Sequence, residues 1–214
     1  MPSTTSLIMS KGDRKQKAVL LISLDIEGAF DNMVASTKTQ LIDKKCPGNL
    51  YQMACSYLTE RKITVNYARE TVTKSTNKGC VQGSICGPTF WNIIIDSLLQ
   101  RLTDAKVHCQ AFADDVVLAF SSESSSTIEN AANEAMKIVT KWGSENKLNF
   151  APQKTQAMVL TKKLKFQNPT IQMAGSQINL VEEIKVLGLI IDTRLNFRSH
   201  VAAVCKSLSK STSD

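Results

Sequence analysis

The stretch "QAFADDVVLAF", residues 110–120, sets Asp114 and Asp115 side by side between two apolar runs. Adjacent carboxylates repel each other, and apolar flanks strip away their hydration. A tight turn offers one compensation, because Asp favours turns and stays in water there. A divalent cation offers another, since it converts the repulsion into attraction. In either case "VHCQAFADDVVLAF" reads as two short strands meeting at the acidic pair, a tight hairpin.

Upstream, "AVLLISLDI" (18–26) is almost continuously apolar and rich in branched residues, the pattern of a strand buried on both faces. It ends at Asp25, and Gly28 breaks it. "FDNMVASTKTQLIDKKC" then reads as a helix stopped by Pro47-Gly48, with a second helix across "NLYQMACSYLTE". "RKITVNYARETVTK" alternates as a strand or hairpin does. "GCVQGSICGP" (79–88) holds three glycines and ends in Pro88, which suits the first turn of a helix. That helix continues as "TFWNIIIDSLLQRL", with Trp91, Ile94, Ile95, Leu98 and Leu102 on one core-facing stripe.

Downstream, Ser126 and Glu129 have the spacing of a capping box for "TIENAANEAMKIVTKW". Ile128, Ala131, Ala132, Ala135, Val139 and Trp142 share a face of this helix, and Gly143 is expected to end it. Strands follow at "AMVLTKK", "TIQMAG" and "IKVLGLIID", and "LNFRSHVAAVCKSLSK" reads as the start of a further helix.

The chain has 214 residues, a formal charge of +7 and a pI near 9.1, a balance that favours an anionic partner such as nucleic acid. The excess is diffuse: 14 Lys/Arg against 9 Asp/Glu in residues 1–107, and 12 against 10 in 108–214. Six cysteines form no CxxC pair, and the two histidines lie far apart, so a zinc site is not indicated. Free thiols in a reducing compartment are expected, with no signal core and no membrane span. The expected location is intracellular, with nucleus and cytoplasm left open.

Asp25 alone reads as a strand-end cap as readily as a ligand. If the acidic hairpin lies beside its strand, Asp25 and Asp114 face each other, as carboxylates shared by two magnesium ions must. Taken in order, "SLDIEGAFDNM", "GCVQGSICGPTFWNIIIDSLL", "AFADDVVLAF", "LNFAPQKTQAMVL" and "VLGLIIDTRLNFRSHV" resemble the successive palm motifs of a reverse transcriptase, the type found in non-LTR (LINE-like) retrotransposons. The resemblance spans roughly residues 18–201.

It implies an α/β palm: an antiparallel sheet with a central catalytic hairpin and helices packed on one face. Residues 1–17 would be a polar remnant of the fingers connection, 18–192 the palm, and 193–214 the start of a truncated thumb. The implied reaction is RNA-directed DNA synthesis from an RNA template, a DNA primer and dNTP, with Mg²⁺ (Mn²⁺ as substitute). Asp25, Asp114 and the carbonyl of Ile26 would hold metal, with Asp115 a third carboxylate. Lys154 would protonate pyrophosphate. Phe30 would be the steric gate beneath the incoming sugar, and Gln82, Gly83 and Ser84 would pack on the nascent base pair. Each also has a plain structural reading: a core Phe, a glycine-rich turn, a solvated lysine. Arg61 and Lys62 are candidate template-phosphate contacts.

The sequence departs from the family at Ile85 and Cys86, where Pro and Leu are common. Fingers strands, most of the thumb and an endonuclease portion are not recognisable, so a fragment with negligible activity by itself is expected. Two other readings stand beside this one: an inactive nucleic-acid-binding remnant, and a group II intron maturase-like enzyme.

Overall fold

The computed structural model describes residues 17–76, 79–80, 83–186 and 188–211, with the backbone alone at 29–32, 210 and 211. Its centre is strand β1 (Ala18–Leu24), the apolar run read from the sequence. On one side β1 pairs antiparallel with β6 (Asp115–Ser122), which pairs in turn with β5 (His108–Phe112). On the other it pairs antiparallel with β8 (Gln156–Leu160), whose outer edge takes a short parallel strand, β11 (Asn179–Leu180). The sheet order is therefore β11-β8-β1-β6-β5, while β9 (Gln172–Met173) and β10 (Ser176–Gln177) pair with each other.

Alternation along β1 sorts its side chains into two cores. Leu20, Ile22 and Leu24 join the larger one with Val116, Leu118 and Phe120 of β6. Four helices close this face: α1 (Ala29–Asp43), α2 (Gly48–Leu58), α3 (Cys86–Asp104) and α4 (Ser125–Asn146). The stripe expected on α3 is buried as read, from Trp91 to Leu102. The indole of Trp142 on α4 donates to Ser97 Oγ at 2.8 Å and fastens α4 to α3.

Val19 and Leu21 face the opposite way. There they meet Ile184 of β12 (Glu183–Val186) and Ile191 of β13 (Leu189–Asp192), an antiparallel hairpin. Leu195 and Phe197 pack on the same face just before α5 (Arg198–Ser211). The helices thus occupy one face, as expected, and a hairpin seals the other. The hairpin of β3 (Arg61–Tyr67) and β4 (Glu70–Thr76) stands away from both cores, exposed along nearly its whole length. All six cysteines are free. Among the described residues no helix is long and apolar enough to cross a membrane.

Two local expectations about α4 are corrected. It starts after Ser124, not Ser126, and no side chain caps it. Glu129 instead accepts the backbone N–H of Thr170 at 2.7 Å, so the acid expected to cap the helix ties it to a distant loop. Ala131 is exposed, and Met136 fills the inward position. Nor does Gly143 end the helix, which runs on to Asn146 and stops at Lys147 in the left-handed region, φ 56°.

Gly143 is there for space. A Cβ built on it would lie 2.8 Å from the Leu148 carbonyl oxygen and 3.0 Å from the Phe150 ring. Gly143→Ala would gain roughly 1 kcal/mol of helix propensity. Pushing a backbone oxygen aside costs about 1–3 kcal/mol, as overpacking generally does. The clash is expected to win, so that urea denaturation gives a lower midpoint for Gly143→Ala.

Candidate active site

The hydrophobic register of β1 against β6 runs from Ala18↔Ser122 to Leu24↔Val116. Carried one residue further, it sets Asp25 level with Asp115, the first residue of β6. Asp114 lies next to it in the two-residue turn, because Phe112 pairs with Asp115 across the hairpin. Two strands far apart in sequence thus deliver three carboxylates to one end of the sheet. The hairpin lies beside β1 as anticipated, with Asp114 in its turn and Asp115 at the start of β6.

The electrostatics record this closeness. The Asp115 carboxyl is held above the usual carboxylate range, first by partial desolvation, then by the charges of Asp114 and, more weakly, Asp25. Lys185 on β12 pulls the other way. A cluster of like charge with incomplete compensation is a site prepared for a cation.

Asp25 is fixed through its backbone. Its N–H donates to Thr155 Oγ1 at 3.3 Å, and its carbonyl accepts from Ala151 N at 3.0 Å. Ile26 is buried in β2 (Ile26–Glu27), which pairs with β7 (Asn149–Phe150). These contacts bring the "NFAPQKT" loop against the strand end. Lys154 on that loop lies 3.2 Å from Glu27 Oε1 and 3.9 Å from Asp25 Oδ2.

The remaining candidates divide. Phe30 lies in the first turn of α1, after Gly28 turns the chain at φ 60°, and its side chain falls outside the described atoms. Gln82 falls outside the described residues. Gly83 has φ +84° with open space around it, so backbone conformation and not crowding calls for glycine there. Ser84 supports the helix that follows. Its Oγ accepts the N–H of Gly87 in the first turn of α3 at 3.0 Å, and it lies 3.4 Å from Cys80 Sγ. Arg61 donates to the carbonyl of Gly79, which ties the β3–β4 hairpin to the start of this segment.

Three contributors escaped the sequence reading: Glu27, Lys185 and the indole of Trp91, which donates to the carbonyl of Ala113 at 2.5 Å. Only Glu27 had a sequence signal, being two residues from Asp25.

The donor set is carboxylate and carbonyl oxygen, which suits a hard divalent cation. Among the described residues no three metal-binding side chains converge closely enough to cage an ion unaided.

Comparison with known proteins gives this geometry a family. The model of the reverse transcriptase (RNA-dependent DNA polymerase) family matches residues 1–191. The chain belongs to the reverse transcriptase family. It is 33% identical over 199 residues to the 115 kDa protein in type-1 retrotransposable element R1DM of Drosophila melanogaster, covering 91% of this chain and 19% of that protein. A Pol polyprotein from type-1 retrotransposable element R1 of Bradysia coprophila is 29% identical over 187 residues, 87% of this chain and 18% of that one. This reverse transcriptase chain therefore spans about a fifth of the length of the curated relatives it matches. These relatives are non-LTR retrotransposon proteins, which favours that reading over a maturase.

Among solved structures, telomerase from Candida tropicalis in complex with a TWJ fragment of telomeric RNA superposes with a TM-score of 0.56. Identity is 13%, over 92% of this chain and 33% of that one, a likeness of fold. The fold is the palm of this family.

The charge arrangement can be checked by following the Asp115 carboxyl through a carbon-detected NMR titration. Asp114→Asn removes a like charge, so the Asp115 pKa should fall towards the ordinary carboxylate value. Lys185→Ala removes the opposing cation, so it should rise further.

Proposed function

We propose that this chain is the catalytic palm of an RNA-directed DNA polymerase, extending a DNA primer with dNTPs on an RNA template. The observation that supports the reading is the strand register, which brings the end of β1 at Asp25 beside the β5–β6 hairpin tip that carries Asp114 and Asp115. Asp25, Asp114 and the Ile26 carbonyl would hold Mg²⁺, with Asp115 as a further carboxylate and Mn²⁺ as a substitute. When bound, the ions activate the primer hydroxyl and stabilise the departing pyrophosphate.

The chain's own residues then have separable roles. Lys154, shared between Glu27 and Asp25 and more than half exposed, would give a proton to pyrophosphate. Phe30, one helical turn beyond the strand end, would sit under the sugar. Gln82 and Gly83 would meet the nascent base pair, while Ser84 holds the helix that follows. The diffuse positive charge serves the nucleic-acid backbone.

In a complete enzyme carrying this palm, Asp114→Asn should lower primer extension by about 10³-fold, the scale of several kcal/mol of charge stabilisation. Primer–template binding, measured by fluorescence anisotropy, should stay close to wild type because phosphate contacts elsewhere carry it. Near-normal extension by this variant in Mg²⁺ would remove Asp114 from the site. Asp115→Asn is expected to cost less.

Phe30→Ala tests sugar choice separately. Opening the space beneath the sugar should raise the efficiency of rNTP relative to dNTP use, because the discrimination rests on a clash. An unchanged ratio would assign Phe30 to packing alone.

A further inference from the structure

The tip of the β5–β6 hairpin is poorly supported by packing. Phe112 is 68% exposed, and Ala113, Asp114 and Asp115 are exposed as well. Ala113 also has φ +53°, a conformation that costs a non-glycine residue on the order of 1 kcal/mol. An exposed, strained turn carrying two mutually repelling acids should not hold one geometry by itself. Yet catalysis needs those acids fixed to within a fraction of an ångström.

Trp91 supplies the missing restraint. Its side chain is buried to 1% exposure in the helix-side core, and its indole N–H donates to the carbonyl of Ala113 at 2.5 Å. That carbonyl belongs to the peptide joining Ala113 to Asp114, so its direction sets the plane from which Asp114 departs. A buried indole seeks some acceptor in any fold. What is distinctive here is the acceptor: the strained residue immediately before the acidic pair.

We infer that Trp91 is a positioning residue for catalysis, whose indole N–H orients the Ala113–Asp114 peptide and so presents the acidic pair to the metal. This rests on the functional reading above. Two residues before the same helix α3, Ser84 accepts the N–H of Gly87 in its first turn, two turns before Trp91. One rigid element therefore connects the segment proposed to meet the base pair with the hairpin proposed to hold metal. Neither end can shift without carrying the other.

The test removes the N–H and keeps the shape. Trp91 in the full chain is replaced by benzothienylalanine, which exchanges the indole nitrogen for sulfur, and in parallel Trp91→Phe is made. Thermal unfolding, Mn²⁺ binding by electron paramagnetic resonance, and the kcat and KM for dNTP are measured for each, beside wild type and Asp114→Asn. Outer-shell partners of metal ligands typically contribute 10–100-fold to affinity or activity. Loss of the N–H should accordingly weaken Mn²⁺ binding by about 10-fold and lower kcat similarly, with KM moving much less and the melting temperature nearly kept.

If Asp114→Asn abolishes Mn²⁺ binding and removal of the N–H leaves it at the wild-type value, Trp91 is a core residue and the inference falls. If Asp114→Asn leaves Mn²⁺ binding intact, the functional reading itself fails and takes the inference with it. Should Trp91→Phe fail to fold, the sulfur isostere still decides.

Discussion

The register that pairs Leu24 with Val116 determines where the acids at the end of β1 lie relative to those at the hairpin tip. It is held by apolar burial. Leu20, Leu21 and Ile22 are fully buried, and each such side chain stabilises the fold by roughly 2 kcal/mol relative to exposure. Because β1 is covered on both faces, a slip of one residue would present each side chain to the wrong core. The helix-side core and the hairpin-side core then both resist it. A strand without a polar side chain before Ser23 thus does the positioning for a site made of charge.

Much of this was legible in the sequence, and the reason is periodicity. The nearly continuous apolar run of 18–24 reads as a doubly covered strand, and the stripe from Trp91 to Leu102 as a buried helix face. The ordered motifs then supplied what periodicity lacks, the adjacency of Asp25 to the hairpin. Contacts that depend on a single long-range approach left no such trace. Lys154 and Glu27 are 127 positions apart, and neither neighbourhood announces the other. The capping-box pattern at Ser126 misled because Glu129 found a better partner in a loop 41 residues away. Gly143 misled for a related reason: glycine late in a helix usually marks its end, but here it admits the Leu148 carbonyl.

The active-site end also shows how little the surrounding cations neutralise. Lys154 is 63% exposed and 3.9 Å from Asp25, and an exposed pair of that kind contributes about 0–1 kcal/mol. Lys185 draws the Asp115 carboxyl down, yet the net displacement is still upward. Desolvation and like charge therefore outweigh Lys185 there. A fold that had merely to be stable would bring a closer cation to this spot, or place the acids in open water. Here Asp115 is kept partly desolvated and only loosely countered, an arrangement that attracts cations.

That arrangement makes mechanical demands that packing alone does not meet. Mutual repulsion pushes Asp114 and Asp115 outward from a turn that already lacks buried neighbours. Apolar contacts cannot oppose this, because the tip has almost none to offer. A directional bond from a rigid donor can, since it restrains one peptide plane without covering the acids or excluding substrate. The indole N–H is suited to that purpose: it donates only, it sits on a buried ring, and helix α3 fixes the ring through Trp91's burial among Ile94, Ile95 and their neighbours. The hydrophobic core thus reaches the acidic end of the sheet twice, through the register of β1 and through a single hydrogen bond at Ala113.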